Sequence, residues 1–273
     1  MNVFTPAEFT ANYSAAGQKK TVNSTGKLFF LAILAGALIA FAAVFSSTAA
    51  HNLETAGATR MVSGLLFAFG LGIVVITGAE LFTGNCLISI SVLDKKATLG
   101  GMIRNLVIVY IGNFVGSLLV AFACANCGQF NYSDNGLAVY TIKLAIGKCT
   151  LTFGNAVVLG ILCNVLVCLG VLVSLAAKDI PGRIMGAYVP VAIFVIAGFE
   201  HSIANMYYVP AGLFAAMNPT YAQAAVDAGL NMAALTWGNF FVHNLIPVTI
   251  GNIIGGVAVG ALMCYANLYQ GKK

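Results

Sequence analysis

The sequence is dominated by long apolar runs that contain few or no charged side chains. A helix needs about 20 such residues to cross the hydrocarbon core of a bilayer, which is about 30 Å thick. Six runs meet this requirement, near residues 28–48, 61–93, 102–124, 151–176, 184–217 and 235–265. The pattern predicts an all-α membrane protein with six transmembrane helices, embedded in a lipid bilayer.

The composition excludes the main alternative classes. Charged residues make up 8% of the 273 residues, against about 25% in soluble domains, and 60% are hydrophobic. A soluble globule needs more charge to cover its surface, and a disordered chain needs low hydrophobicity. The net charge of +5 comes from Lys and Arg scattered in ones and twos, so nucleic-acid binding is not expected.

The distribution of cations predicts the orientation. Residues 1–25 are polar and show no signal-peptide cleavage pattern, so we expect a cytoplasmic N-terminal segment there. With six spans both termini lie on one side, and the positive-inside rule places them in the cytoplasm, which for a bacterial protein means a location in the inner membrane. Ten cations fall on that side and three on the other: Lys19, Lys20, Lys27, Lys95, Lys96, Arg104, Lys178, Arg183, Lys272 and Lys273 against Arg60, Lys143 and Lys148.

The second and fifth runs are too long for one straight helix and carry the same polar pattern mid-run. Glu80 and Asn85 are five residues apart in one run, as are Glu200 and Asn205 in the other. The following run in each half contains Gly-Asn within a Gly-x3-Gly pattern. We therefore expect one channel domain, 1–273, built from repeat 1 (26–125) and repeat 2 (149–265), inverted because each has an odd number of spans. Helices 2 and 5 are broken, and their breaks meet near the midplane.

Few ionisable residues lie at membrane depth, and each needs a physical account. A carboxylate beside a helix break can accept from its unpaired N–H groups, so Glu80 and Glu200 are interpreted as supports of the breaks, with a proton relay as the alternative. His201 follows a break and is expected to present a ring N–H to a passing solute. Thr83 can face it across the pseudo-two-fold axis or simply cap a half-helix. His243 has no break around it and is interpreted as a packing residue.

Apolar side chains at helical spacing suggest narrow rings. Phe67 and Leu71 share a helix face, Phe194 lies two turns before His201, and Asn164 and Val167 are three residues apart. Such stripes also occur in ordinary helix packing, so spacing alone leaves both readings open. The seven cysteines lie mostly in apolar runs, and we expect no metal site and no cofactor.

Four segments of the chain together form a specific pattern. They are Gly78-Ala79-Glu80-Leu81-Phe82-Thr83-Gly84-Asn85, Gly160-Ile161-Leu162-Cys163-Asn164-Val165-Leu166-Val167-Cys168, Gly198-Phe199-Glu200-His201-Ser202-Ile203-Ala204-Asn205-Met206 and Pro247-Val248-Thr249-Ile250-Gly251-Asn252. In these segments the chain resembles the formate/nitrite transporter family, and the resemblance covers nearly the whole chain, from about Tyr13 to the C-terminus. Among the members, the hydrosulfide channel branch is the one expected.

The resemblance implies an aquaporin-like protomer with its own pore, assembled as a homopentamer. It implies four functional groups of residues. Leu71, Leu81 and Val167 form a cytoplasmic constriction, and Phe67 and Phe194 an outer one. His201 lies between them with Thr83 opposite and Asn164 and Asn252 nearby. Lys148 makes the outer approach electropositive. Lys143 and Lys148 also run against the positive-inside pattern, which favours an anionic solute, although Lys148 can equally be a surface lysine of an outer loop.

These observations predict a passive channel for small monovalent weak-acid anions, with hydrosulfide slightly preferred over formate and nitrite. His201 would share or give a proton, so that a neutral species crosses the apolar ring. A proton-coupled transporter on the same scaffold is the alternative. A neutral-solute pore would need two Asn-Pro-Ala boxes, and the chain has a single Asn218-Pro219-Thr220. An intramembrane enzyme is disfavoured, because neighbours such as Glu200 and His201 on one helix point about 100° apart.

Overall fold

The computed structural model describes residues 3–269, and over this range the protein is helical apart from one isolated β-bridge between Val3 and Ala177. The helices, in chain order, are α1 Pro6–Val22, α2 Thr25–Ala50, α3 Ala56–Thr77, α4 Phe82–Leu93, α5 Leu99–Asn126, α6 Gly136–Cys149, α7 Phe153–Ala176, α8 Ile180–Ala197, α9 Ser202–Ala216, α10 Pro219–Asp227 and α11 Trp237–Tyr269.

Six of these helices are long and apolar enough to cross a membrane, namely α2, α3, α5, α7, α8 and α11. This confirms the prediction of six membrane-spanning runs. Lys272 and Lys273, two of the cations used to predict the orientation, lie outside the described residues.

Polar residues at the ends of the apolar runs set where the helices begin. The first N–H groups of a helix have no partner within it, so a side-chain oxygen just before the helix stabilises its start. Ser24 caps α2, Thr55 caps α3, Thr98 caps α5 and Asp179 caps α8, each accepting from a backbone N–H three residues on.

Small residues let the longest helices approach closely in two equivalent pairs, α2 with α5 and α7 with α11. A Cβ at Gly116 would lie 2.1 Å from the carbonyl oxygen of Ile33, and one at Gly251 would lie 2.1 Å from that of Val157. Any larger side chain at these positions would force the helices apart. Such small-residue contacts are the usual means of helix association in membranes.

Two shorter helices, α4 and α9, follow interruptions in the chain and pack on different neighbours. The chain leaves the helical conformation after Thr77 and resumes it at Phe82, and does the same between Ala197 and Ser202. Helix α4 then packs on α1 and α11, whereas α9 packs on α6 and α5. Helices α3 and α8 pack against each other between them. Each half of the chain thus makes the same set of contacts.

The last helix is irregular over the turn and a half that precedes Pro247. A π-helical segment, Phe240–Leu245, precedes the regular helix that begins at Ile246. Proline has no N–H to donate to a preceding carbonyl, so it fits the first turn after this wider segment.

Candidate functional site: two helix breaks meeting at an apolar chamber

Both breaks start at a glycine in the left-handed region. Gly78 ends α3 with φ of 67°, and Gly198 ends α8 with φ of 77°. Only glycine adopts this conformation without strain, and it lets the chain turn out of the helix while its N–H still bonds to the last turn. Three residues in each break then run in a non-helical conformation through the interior of the bundle, ending at Leu81 in one copy and His201 in the other.

Glu80 is the centre of the first polar network. Its carboxylate accepts from Lys20 Nζ at 2.9 Å and from Asn85 Nδ2 at 2.6 Å. Asn85 also donates to Asn105 Oδ1, and Asn105 donates to the carbonyl of Lys20. A buried carboxylate is tolerated only when it is paired and hydrogen-bonded, and this one is both.

Glu200 is the centre of the second network, which repeats the first. Lys148 Nζ lies 3.0 Å from each carboxylate oxygen. Asn205 Nδ2 donates to Glu200 at 2.6 Å and to Asn244 Oδ1 at 2.7 Å. Asn244 adds a further hydrogen bond to Glu200 at 3.2 Å. The spacing of five residues between Glu and Asn therefore places the amide on the carboxylate in both copies.

An asparagine from the neighbouring long helix holds each break from the other side. Asn113 accepts from the N–H of Phe82 and donates to the carbonyls of Ala32 and Glu80. Asn252 accepts from the N–H of Ser202 and donates to the carbonyls of Gly160 and Glu200. Both side chains are fully buried. They satisfy backbone groups that would otherwise lack a partner in the membrane interior.

His201 and Thr83, predicted to face each other, are in direct contact. Thr83 Oγ1 lies 3.0 Å from His201 Nε2. His201 also caps α9, because its Nδ1 accepts from the N–H of Ala204 at 3.0 Å. An imidazole nitrogen that accepts carries no proton, so the neutral ring has its proton on Nε2 and donates it to Thr83. Adding a proton at Nδ1 would remove the cap.

Asn164 and Asn252 lie behind this contact. Asn164 donates to the carbonyl of Thr83 at 3.2 Å and to that of Asn252 at 2.6 Å. The side-chain amides of both residues are thus occupied by backbone groups, and neither residue lines the chamber described next. Their placement positions Thr83 and the second break.

The predicted apolar rings converge on a chamber of about 10 Å³, barely the size of one water molecule. The rings of Phe67 and Phe194 meet edge to face, 6.2 Å between centroids, and Phe194 stacks on His201 at 5.8 Å. The lining residues are Ile39, Phe67, Leu71, Leu81, Val167, Val191, Phe194 and His201. In this conformation the chamber has no room for a hydrated anion, and His201 lines both the chamber and the wider cavity described next.

A wide vestibule of about 730 Å³ opens on the other side of Phe67 and Phe194. Its wall includes the C-terminal end of α2, the start of α3 and one face of α6. Helix α2 has 26 residues and so spans about 39 Å, with α1 preceding its other end. The vestibule therefore lies at the face of the bundle opposite α1.

Lys148 stands in this vestibule, but its charge is already balanced. Its ammonium group is held by both oxygens of Glu200 and lies 5.4 Å from the centre of the Tyr208 ring. It is neither a surface lysine nor an unpaired cation.

The spacing argument that placed Glu200 and His201 on one helix is wrong, because both residues precede α9. They nevertheless point to different partners, Lys148 for one and Thr83 for the other.

Several residues of the site were not singled out from the sequence. Ile39 and Val191 lie in apolar runs whose lipid-facing and chamber-facing positions look alike. Lys20, Asn105 and Asn244 join the networks from distant parts of the chain. His243 lies on the exposed surface of α11, and no group of three metal-binding side chains occurs among residues 3–269.

Comparison with known protein families gives a match over most of the chain. The family model described as formate/nitrite transporter matches residues 7–266.

Two curated relatives and one solved structure are similar to the chain. A probable formate transporter of Methanothermobacter thermautotrophicus is 37% identical, and the alignment covers 97% of each chain. The formate channel FocA of Escherichia coli K12 is 39% identical over 92% of this chain and 90% of its own. A pentameric formate channel with formate bound is 38% identical, with a TM-score of 0.80 over 90% of this chain and 98% of that one.

Proposed function

This chain belongs to the formate/nitrite transporter family, and we propose that it is a passive channel for small monovalent weak-acid anions, with formate as its main substrate. It is a multi-pass membrane transport protein rather than an enzyme. Formate is favoured over the other anions because the similar proteins are described as formate channels and transporters. The preference for hydrosulfide stays a prediction that a flux panel must decide.

The contact between His201 Nε2 and Thr83 Oγ1 carries the proposal. It places the buried Thr83 hydroxyl directly against His201, which is the polar residue in the lining of an otherwise apolar chamber. An anion that loses its water there faces a large desolvation cost, which hydrogen bonds from fixed donors reduce. A weak-acid anion can reduce it further by taking up a proton, which a permanently charged ion cannot do.

The apolar residues on each side act as two constrictions. Phe67 and Phe194 separate the chamber from the vestibule, and Leu71, Leu81 and Val167 close the opposite side. Their side chains are 1 to 4% exposed, so a hydrated ion has no open path. Conduction requires them to move aside while the polar networks behind them stay in place.

Proton donation by His201 has a structural condition. The neutral ring uses Nδ1 as the cap of α9 and has a single N–H on Nε2. To give a proton and remain neutral, the ring must first accept one at Nδ1, which breaks the bond to Ala204. We therefore expect His201 to act mainly as a hydrogen-bond donor, with the transferred proton drawn from water at the vestibule.

The architecture proposed for this function is an inverted repeat of the aquaporin type. The matching contacts of α4 and α9 and the matching networks around Glu80 and Glu200 support it. Because Lys20 of α1 and Lys148 of α6 hold equivalent places, the two repeats are best drawn to include these helices as well. Five such protomers, each with its own pore, form the proposed assembly, in keeping with the similar pentameric structure.

The proposed orientation follows from the positions of α1 and the vestibule on opposite faces of the bundle. The face that carries α1 and most of the Lys and Arg residues is proposed to lie in the cytoplasm, and the vestibule outside. The inner membrane of a bacterium is the proposed location, with residues 1–25 as a cytoplasmic segment and the whole chain as one channel domain.

A competitive flux panel tests the function. Purified protein in liposomes is given formate, nitrite, hydrosulfide, chloride and lactate in turn, and osmotic swelling is measured alongside. Formate flux that follows its own gradient without a pH gradient supports a passive channel. Flux that requires an opposing proton gradient would replace it with the coupled transporter, and swelling with neutral solutes alone would replace it with a neutral-solute pore.

The histidine is tested by its pH profile. His201→Asn keeps an acceptor for the Ala204 N–H and an amide donor, but cannot titrate near neutral pH. If His201 gives a proton, the variant changes the pH dependence of formate flux. An unchanged profile discards proton donation and leaves the fixed-donor role.

A further inference from the structure

The vestibule contains two cations whose charges no carboxylate balances. Lys148 is paired with Glu200, so its attraction for a distant anion is largely cancelled. The other cations that line the cavity are Arg60 on α3 and Lys143 on α6. Among the described residues no carboxylate oxygen lies within 4.0 Å of either of them. Besides Glu200, the wall contains one acidic residue, Glu54. Arg60 and Lys143 together carry one more positive charge than Glu54 can balance.

Arg60 is held directly above the constriction. One guanidinium nitrogen, Nη1, lies 3.4 Å from the carbonyl of Ile196, two residues after Phe194. The guanidinium also fills the space over Gly198, where an added Cβ would lie 2.3 Å from Nη1. The group therefore lies at the end of α8, against Gly198, and has a single acceptor among residues 3–269 for its five N–H groups.

A guanidinium fork recognises a particular shape of anion. Its paired N–H groups match two oxygens of a planar carboxylate or similar anion, and an ammonium group cannot reproduce that geometry. Hydrosulfide has a single acceptor atom and gains nothing from the fork. A cation without the fork should attract all monovalent anions equally.

We propose that Arg60 and Lys143 form an anion-collecting site in the vestibule, in which the Arg60 fork selects planar two-oxygen anions such as formate over hydrosulfide before they reach Phe67 and Phe194. Lys143 adds positive charge but does not discriminate between anions by their shape. This inference rests on the proposed channel function and deepens it, because it assigns discrimination to the vestibule rather than to the chamber around His201.

The test uses the full-length protein in right-side-out and inverted membrane vesicles from cells without other formate transporters. Uptake of radiolabelled formate and of hydrosulfide is measured at low substrate concentration and low ionic strength. Arg60→Gln should reduce formate uptake by about three-fold in both vesicle orientations, because a passive channel has the same permeability in both directions at low substrate concentration. The value is modest because the site is exposed. The decrease should disappear in high salt.

Three further variants separate charge from shape. Arg60→Lys should restore hydrosulfide uptake to the wild-type level while formate uptake stays about two-fold low. Lys143→Gln should lower both anions alike. Glu54→Gln, which removes a negative charge from the same wall, should raise both, and so provides a control of opposite sign.

The outcomes distinguish this inference from the channel function. Wild-type protein that conducts no anion overturns the proposed function and the inference with it. Wild-type protein that conducts formate while Arg60→Gln and Arg60→Lys both leave the ratio of formate to hydrosulfide unchanged overturns the inference alone. A loss in Arg60→Gln that persists unchanged in high salt assigns Arg60 to anchoring the end of α8, and also overturns it. Lys143→Gln needs no buried contact and stays informative if the Arg60 variants fail to assemble.

Discussion

The two helix breaks share a scaffold and differ in the residues that reach the chamber. Glu80 and Glu200, each bonded to an asparagine five residues later and to a lysine, have equivalent partners, and so do Asn113 and Asn252. At the position after the glutamate, however, one copy has Leu81 and the other His201. Two residues further on, one copy has Thr83 and the other Ile203. The two breaks thus share the groups that hold them, and differ in the polar side chains of the His201–Thr83 contact, to which each contributes one.

The partners of the two carboxylates also differ in number. Lys148 touches both oxygens of Glu200, and Asn244 adds a donor, whereas Glu80 receives one lysine contact and one amide. The break that presents His201 is therefore the more strongly held. A fixed donor needs rigid support, because its benefit to a passing anion depends on its position.

The largest predicted effect tests the shared scaffold. Asn252→Leu and Asn113→Leu each leave one N–H and one carbonyl of a break without a partner and remove a second hydrogen bond from a helical carbonyl, so each should lower the free energy of unfolding by about 3 kcal/mol. Thermal unfolding of the assembled protein in detergent measures this. Ser117→Ala, which removes one bond to the carbonyl of Gly36, should cost about 1 kcal/mol. A large loss at one asparagine and none at the other would break the equivalence.

Replacing the lysine of each network, Lys20 or Lys148, tests how far the two networks differ in stability. Lys20→Met leaves Glu80, whose side chain is 4% exposed, with one amide donor, and should cost about 2 kcal/mol after allowing for the partial exposure of the lysine. Lys148→Met leaves Glu200 with two amides and a 10% exposed side chain, so the cost should be smaller. Thermal unfolding of the two variants side by side gives the order. The reverse order would show that the number of donors does not set the stability of the break.

The glycines at which the breaks begin should respond unequally. Gly78→Ala places a Cβ in open space and pays only for the left-handed backbone, about 1 kcal/mol. Gly198→Ala carries the same strain and also displaces the Arg60 guanidinium. We expect a similar loss of thermal stability for both variants, because the exposed Arg60 side chain can swing aside, and reduced formate flux for Gly198→Ala alone. Equal formate flux in the two variants would argue against the position of Arg60 over Gly198.

Replacing Thr83 has the smallest predicted effect, a change in formate flux, and tests its hydroxyl group rather than the scaffold. Thr83→Val keeps the side-chain shape but removes the oxygen that accepts from His201, which should lower formate flux about five-fold, the equivalent of about 1 kcal/mol. Thr83→Ser should retain most of the flux. Ile203→Val, at the equivalent position of the other copy, carries no hydrogen-bonding group and should conduct normally. A similar decrease in Ile203→Val would mean that packing, and not the hydroxyl, is being measured.

The sequence predicted the parts of this arrangement that repeat locally. Six apolar runs became six long helices, and the glutamate and asparagine five residues apart marked both networks. The partners Lys20 and Lys148 could not be read in this way, because 60 and 52 residues separate them from their carboxylates. Ile39 and Val191 were missed for another reason. In a membrane protein an apolar side chain can face lipid, a neighbouring helix or a pore, and hydropathy does not distinguish them.

The role of His201 was only half visible. Its place after a break predicted a donor facing the passage, and the contact with Thr83 agrees with that geometry. Its role as the cap of α9 was not predicted, since Ser, Thr, Asp and Asn are the usual caps. That second bond determines which nitrogen carries the proton, and with it how the residue can act.

The most direct test replaces the histidine by the residue that the other copy has at the same position. His201→Leu makes the second break match Leu81 and leaves both glutamate networks and both asparagines untouched. Radiolabelled formate uptake into liposomes is compared with wild type, after confirming that the variant assembles and unfolds at a similar temperature. The account predicts a well-assembled protein whose formate flux falls at least ten-fold. Wild-type flux through His201→Leu would show that the scaffold conducts without the donor and would contradict the account.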